Sequence, residues 1–401
     1  MRDLTDVEEL LRHSPVEAFD TVVQRCAAAL GGPVAVLLLD HLDLVDFCLT
    51  YAYPGSPSLL EQLPLKVEEG PLERVAQGLE VVQAPVEEWQ VRPLEEPYLS
   101  AAPIRLRDHA IGALFFGTEE PPSERQLQEL RSLGIKSAVT ITAADQYTDM
   151  IETRRRRKTP SIAAELQSDQ LPPRALYTPA VQVVGGIEPV YDVGGDWFDY
   201  SLDPERLFVA VCDGVGRGLT AASISYVTLG AVRNARKQGG SLREIAELAH
   251  ESLISSTNYE QFATLLLVSI DFASLQMELI SAAHPHPIIM PPVGSGPPEI
   301  LTPGHSYPPL GAFEGSEKYL SHTYDLEPGS RLVLFTDGAV EHRDEHGHQL
   351  GMAGLLRFVD ETRGRVKMEF LRGLMRKIGE FCHSEVKDDI TIVCVDLPPF
   401  E

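Results

Sequence analysis

The period of apolar positions changes several times along this chain. Residues 15–30 place Val16, Phe19, Val22, Val23 and Cys26 on one helical face. Val34 to Leu39 is an unbroken apolar run of strand length. Leu99–Leu106 and Ile111–Gly117 read as a hairpin turning at Arg107-Asp108-His109. Ser123, just after Pro121-Pro122, is placed to cap a helix, and the run from Glu124 to the arginines at 154–157 follows it. A second cap at Ser161 opens a shorter helix that Leu171-Pro172-Pro173 stops. From about Leu176 the texture turns to strands: Leu207–Cys212, Phe262–Ile270, Gln276–Ala283, Arg331–Phe335 and Ile390–Val395. Helices are expected at Leu219–Lys237, Leu242–Ser255 and Met368–Phe381, with Gly239-Gly240 parting the first two. No repeat is visible. The pattern divides the chain into a domain over 1–150, a helical linker over 151–173 and a larger domain over 174–401, an α+β protein throughout.

The length of 401 residues accommodates this division. No apolar run reaches eighteen residues, so no transmembrane helix is expected. The start, MRDLTDVEELLRHS, lacks the apolar centre of a signal peptide. Five scattered cysteines suit a reducing compartment better than a disulfide framework, and a cytoplasmic protein is expected. The net charge of -25 disfavours nucleic acid and anionic membranes as partners. The basic run Arg154–Lys158 invites the opposite view, but it reads as a solvated helix end near the negative pole of the helix.

The chemistry lies in four short acidic segments: Asp192–Asp199 (DVGGDWFD), Cys212–Gly218 (CDGVGRG), Phe335–Gly338 (FTDG) and Lys387–Thr391 (KDDIT). Taken singly, each aspartate could serve a turn, the commoner use of Asp beside Gly. Taken together, at strand ends in one domain, they suggest carboxylates converging on a hard cation. The glycines after Asp213 let a main-chain carbonyl, such as that of Gly214, approach an ion. A dinucleotide fingerprint is disfavoured, because the spacing is G-x-G-x-G. No Gly-Lys-Ser/Thr occurs, and no cysteine is followed by five residues and then arginine. His284 and His286, each beside a proline, read as rigid-loop residues ahead of metal ligands.

The segment PIRLRDHAIGALFFG, with the helix–strand–hairpin–helix order around it, resembles a GAF domain, a small sensory fold, over roughly residues 10–150. The acidic segments, with AAHPHP (282–287), Pro309-Leu310-Gly311 and LEPGSRLVLFTDGAVE (326–341), resemble the metal-dependent PPM (protein phosphatase 2C-like) serine/threonine phosphatases of the SpoIIE/RsbU branch, over about 165–398. That resemblance implies a sandwich of two antiparallel sheets between helices and two Mn²⁺ or Mg²⁺ ions. It implies Asp213 as bridging ligand, with the Gly214 carbonyl beside it. Asp337 and Asp388 would bind one ion and Asp196 the other. Asp199 and Asp389 would either hold water at the metals or only shape their loops. The departures are Arg217, where many relatives have His or Lys, and no identifiable arginine to grip the substrate phosphate.

The activity so implied is hydrolysis of phosphoserine or phosphothreonine on a STAS-type anti-anti-sigma protein, by water activated between two metals and gated by the GAF domain. The alternative is a ligand-binding signalling adaptor with a weak or silent phosphatase domain. The GAF domain is a candidate holder of a small ligand. Leu127, Leu130, Leu133, Ile135, Val139, Ile141 and Ala144 could pack on that domain or on a second chain, making a homodimer through the linker helices.

Overall fold

The computed structural model describes residues 15–39, 46–53, 65–66, 70–76, 80–89, 91–106, 109–155, 159–188, 195–216, 218–257, 260–305, 307–313, 319–365, 367–382 and 388–399. Asp192, Val193, Gly194, Arg217, Lys387, Arg107-Asp108 and Arg156–Lys158, all singled out in the sequence, lie outside them. The chain forms two compact units, Met1–Thr159 and Pro160–Glu401.

In the first unit, α1 (Pro15–Leu30) leads into β1 (Val34–Leu39), β2 (Asp46–Tyr53), β3 (Leu65–Lys66), α2 (Pro71–Ala76), β4 (Val82–Pro85), β5 (Tyr98–Leu106) and β6 (His109–Thr118). α3 (Glu124–Asp145) and α4 (Met150–Arg155) complete it. The strands make one antiparallel sheet in the order β3-β2-β1-β6-β5-β4. One face is covered by α1 and α3 through Phe19, Val23, Leu130 and Ile141. The other is filled by Leu72, Val75, Trp89 and Phe115. Coverage on both sides is why β1 reads as a continuous apolar run instead of alternating.

Ser123 caps α3 as expected, in a box with Gln126: Ser123 N donates to Gln126 Oε1 at 2.9 Å and Gln126 N to Ser123 Oγ at 3.4 Å. The helix does not run on to the arginines. It ends at Asp145, and Thr148 Oγ1 takes the Met150 N–H at the head of α4. Leu130, Leu133, Ile141 and Ala144 are spent in this unit's own core, whereas Ile135 stays 53% exposed.

The second unit opens with α5 (Ile162–Gln170), capped by Ser161, whose Oγ accepts from Ala164 N at 3.1 Å. The helices of the linker therefore fall in different units. The strands that follow are β7 (Ala175–Tyr177), β8 (Gln182–Glu188), β9 (Asp196–Leu202) and β10 (Arg206–Gly214). Next come α6 (Leu219–Lys237), α7 (Leu242–Thr257), β11 (Ala263–Asp271), β12 (Gln276–Ala282), β13 (Ile288–Met290), β14 (Glu299–Ile300), β15 (His322–Asp325) and β16 (Arg331–Phe335). α8 (Gly338–Glu341), α9 (Gly351–Glu361), α10 (Lys367–Phe381) and β17 (Ile390–Asp396) close the chain. Two antiparallel sheets result, β15-β12-β11-β10-β9 and β14-β13-β16-β17-β8-β7.

The alternation within each strand sorts residues into three apolar layers. Leu207, Val209 and Val211 of β10 meet Leu334, Val393 and Val395 between the sheets. Phe208, Ala210 and Cys212 face α6 and α7 on one outside. Val333 and Phe335 face α9 and α10 on the other, with Phe358, Phe370 and Leu374. The order helix–sheet–sheet–helix puts Asp213, next in alternation after Val211, on the inner face at the end of β10.

Candidate active site

Antiparallel pairing brings the acidic segments to one end of the sandwich. Asp196, the first residue of β9, lies opposite Asp213 near the end of β10, and Thr264 of β11 flanks Asp213 on the other side. From the second sheet, Thr336 and Thr391 reach across. Both hydroxyls donate to Asp196 Oδ2, at 2.7 Å and 2.6 Å. The threonines are themselves joined, with Thr391 N donating to Thr336 Oγ1 at 3.0 Å.

Asp389, just before β17, turns its Oδ2 toward the head of β9. That oxygen accepts from Gly195 N at 3.2 Å, from Asp196 N at 3.5 Å and from Gln167 Nε2 of α5 at 3.2 Å. Two glycines permit this crowding. A Cβ on Gly195 would stand 2.6 Å from the Gly214 carbonyl oxygen, and one on Gly338 would stand 2.0 Å from that of Asp389. The Gly-Asp and Asp-Gly pairs thus serve backbone approach at the site.

The electrostatics are one-sided. Burial pushes the Asp213 carboxyl up to about 7, and Asp337 and Asp388 push the same way against a hydrogen bond from Asp196. Asp196, fully buried, is held well above its ordinary range by desolvation and then by Asp213 and Asp389. Burial likewise carries Asp389 to about 6, despite the N–H groups it accepts. Asp337 is raised by burial, by Glu341 and by Asp388. Among the described residues, the charged side chains that act most on Asp213 are other carboxylates. Such a set suits a cation, and its all-oxygen donors are those that Mg²⁺ and Mn²⁺ take. Among the described residues, no three His, Cys, Asp or Glu side chains already form a group able to hold an ion. The fit lies in donor chemistry and charge, and the carboxylates must draw closer around a metal.

Asp196, Asp213, Gly214, Asp337, Asp388 and Asp389 all belong to this end of the unit. Asp199 does not join them. Buried within β9, it is bonded by Arg233 Nη2 at 2.8 Å and Arg236 Nη1 at 2.9 Å, both from α6. Arg233 also donates to the Gln170 carbonyl at the end of α5, at 2.7 Å. Asp199 is therefore an anchor between strand and helices. Replacing Asp199 with Ala is expected to cost about 3 kcal/mol in urea unfolding, the low end for a broken buried pair, because both arginines keep some solvent contact.

His284 is buried, with Nδ1 2.6 Å from Thr264 Oγ1, and burial drives its pKa down to about 3. It is a neutral member of the wall behind Asp213. Gln167, Thr336 and Thr391 are site residues that sequence reasoning passes over.

Residues 203–398 match the family model described as Stage II sporulation protein E (SpoIIE). Phosphoserine phosphatase RsbU of Bacillus subtilis (strain 168) is 21% identical over 245 residues, 58% of this chain and 68% of that one. Phosphoserine phosphatase RsbX of the same organism is 28% identical over 145 residues, 36% of this chain and 66% of its own length. About a third of each relative thus lies outside the comparison. Among solved structures, the SiaA-PP2C domain of Pseudomonas aeruginosa superposes with a TM-score of 0.51 at 20% identity, covering 59% of this chain and 94% of that domain. The second unit of this chain thus matches the SpoIIE family model over most of its length and is similar in sequence to the phosphoserine phosphatases RsbU and RsbX.

Proposed function

We propose that this chain is a metal-dependent phosphoserine/phosphothreonine protein phosphatase that acts on a STAS-type anti-anti-sigma protein, with its first unit serving as a GAF-type sensor. The observation that carries this reading is the gathering of carboxylates from separate segments, with Asp337, Asp388 and Asp389 all acting on Asp213. The names of RsbU and RsbX as phosphoserine phosphatases supply the substrate class. The sensor role draws on the antiparallel sheet with α1 and α3 on one face.

Asp213, the Gly214 carbonyl, Asp337 and Asp388 would hold the metal ions, with Asp196 contributing from β9. Mn²⁺ or Mg²⁺ there supplies Lewis-acid activation of water and offsets charge on the phosphoryl oxygens. The protein's own part is to aim these carboxylates and to offset part of the burial that resists their ionisation. Thr336 and Thr391 give Asp196 two donors on one oxygen, which favours its charged form against burial. The backbone N–H groups of Gly195 and Asp196 do the same for Asp389. An adaptor would have no use for such tuned acids.

The test is release of phosphate from a phosphoserine STAS protein. Release with Mn²⁺ that stops on chelation is expected. A purified, folded chain that leaves both this substrate and p-nitrophenyl phosphate intact with Mn²⁺ would sink the proposal. Among the described residues no helix is long and apolar enough to cross a membrane.

A further inference from the structure

Asp389 divides its two oxygens unequally. Oδ2 carries the N–H donors described above, while Oδ1 is buried with no hydrogen-bond partner among the described residues. An orphaned carboxylate oxygen is costly unless something else engages it. Among the described residues, the one side chain that donates to this carboxylate is Gln167. Its Nε2 has two hydrogens and both are used: one reaches Asp389 Oδ2 at 3.2 Å and the other the Asp196 carbonyl at 2.7 Å.

We propose that Gln167 is a positioning residue of the active site: from α5, its carboxamide fixes the Asp389 carboxylate and the head of β9 together, and so sets how tightly the carboxylate cluster takes a divalent cation. The inference rests on the metal-dependent phosphatase reading and deepens it.

The residue type suits the task. A lysine or arginine at 167 would neutralise Asp389 and compete with a metal for it. A carboxamide holds the oxygen in place and leaves the charge for the cation. The helix is also fixed at both ends. Ser161 caps its start, Arg233 grips the Gln170 carbonyl at its finish, and Ala163, Ala164 and Gln167 are its buried face. Gln167 therefore has its position dictated by α5 as a body. A second tie acts on the same spot from α6, where Ser225 Oγ donates to the Gly195 carbonyl. A shift of α5 would withdraw both Gln167 bonds at once. Because α5 is the first helix after the boundary at Thr159, it is the element through which the chain enters this unit.

The experiment is calorimetric titration of the full chain, freed of metal, with Mn²⁺ alone. Four proteins are compared: wild type, Gln167→Met, Ser161→Ala and Gln170→Ala. Gln167→Met keeps side-chain length and helix preference but removes the donor. It is expected to weaken Mn²⁺ binding by about 10–100-fold, the usual loss for an outer partner of a metal ligand. Ser161→Ala leaves Gln167 intact and loosens the start of α5, and a smaller loss, under about tenfold, is expected. Gln170→Ala loses only a bond to the Leu166 carbonyl and should bind as wild type does. Equal affinities in all four proteins overturn the role of Gln167 while sparing the phosphatase reading. A folded wild type that takes up no Mn²⁺ overturns both. Should Gln167→Met fail to fold, the Ser161→Ala comparison decides: an unchanged affinity there overturns the proposal.

Discussion

Asp213→Asn is expected to lower Mn²⁺-dependent hydrolysis of p-nitrophenyl phosphate by well over a hundredfold. A lost outer partner of a metal ligand already costs about 10–100-fold, and Asp213 is read as a ligand itself. Its place explains the size. It sits opposite Asp196 in the register of β9 and β10, and Asp337 and Asp388 act on it from the other sheet. Asparagine keeps the shape and removes the charge, so the fold should survive, as circular dichroism would show. Asp337→Asn should be comparably severe. Wild-type rates in both folded variants would mean that the carboxylates are a structural cluster and that the metal site lies elsewhere.

The elements that carry Asp213 and Asp337 were legible in the sequence because each ends a dense apolar run. LFVAVC and RLVLF are central strands, buried on both faces, and such strands leave few alternatives. Of the helices of the second unit, α6, α7 and α10 were legible for a similar reason, since apolar stripes and flanking glycines are local signals, whereas the short α8 and α9 were not anticipated. β8 and β9 were harder. QVVGGIE carries two glycines that look like a turn, yet a Cβ on Gly185 would meet the Phe198 ring at 2.6 Å, so the glycine serves packing between sheets. DWFDYSL carries two aspartates. One is buried only because two arginines from α6, 34 and 37 residues later, neutralise it.

The supporting residues of the site were least legible of all. Gln167 looks like one more polar residue on a short helix, and Thr336 and Thr391, though inside the acidic segments, show no role of their own beside the aspartates. What they do depends on sheet-to-sheet register, and no local pattern encodes that. The break between α3 and α4 is another case. The run from Glu124 to Arg155 has good helix formers, and at the break the Thr148 hydroxyl takes the Met150 N–H, which a continuing helix would have bonded to a main-chain carbonyl.

The metal-free protein should show an unusual dependence of stability on pH. Paired or hydrogen-bonded carboxylates ordinarily have lowered pKa values, so they stabilise a fold above the acid range. Here the sign is reversed. Asp196, Asp213, Asp337 and Asp389 all have raised values in the folded state. Each holds its proton more tightly folded than unfolded. Their contribution is therefore present below the unfolded pKa near 4 and is lost as pH climbs through the folded value, about 7 for Asp213. Other carboxylates in the chain have lowered values, among them Asp271 and Asp344, so the whole-protein curve mixes both signs. A difference isolates the site. Asp213→Asn removes one acid that must ionise in a buried, negative place, so the variant should gain stability over wild type as pH rises from 4 to 8. The gain should reach a few kcal/mol in urea unfolding without metal and level off above about pH 7. Saturating Mn²⁺ should invert the order at pH 8, because the ion offsets the repulsion in wild type and binds the variant poorly. A difference that stays flat from pH 4 to 8 would mean that Asp213 ionises freely in the folded chain, with water or a nearby cation compensating it. The crowding of carboxylates would then be no measure of a missing metal.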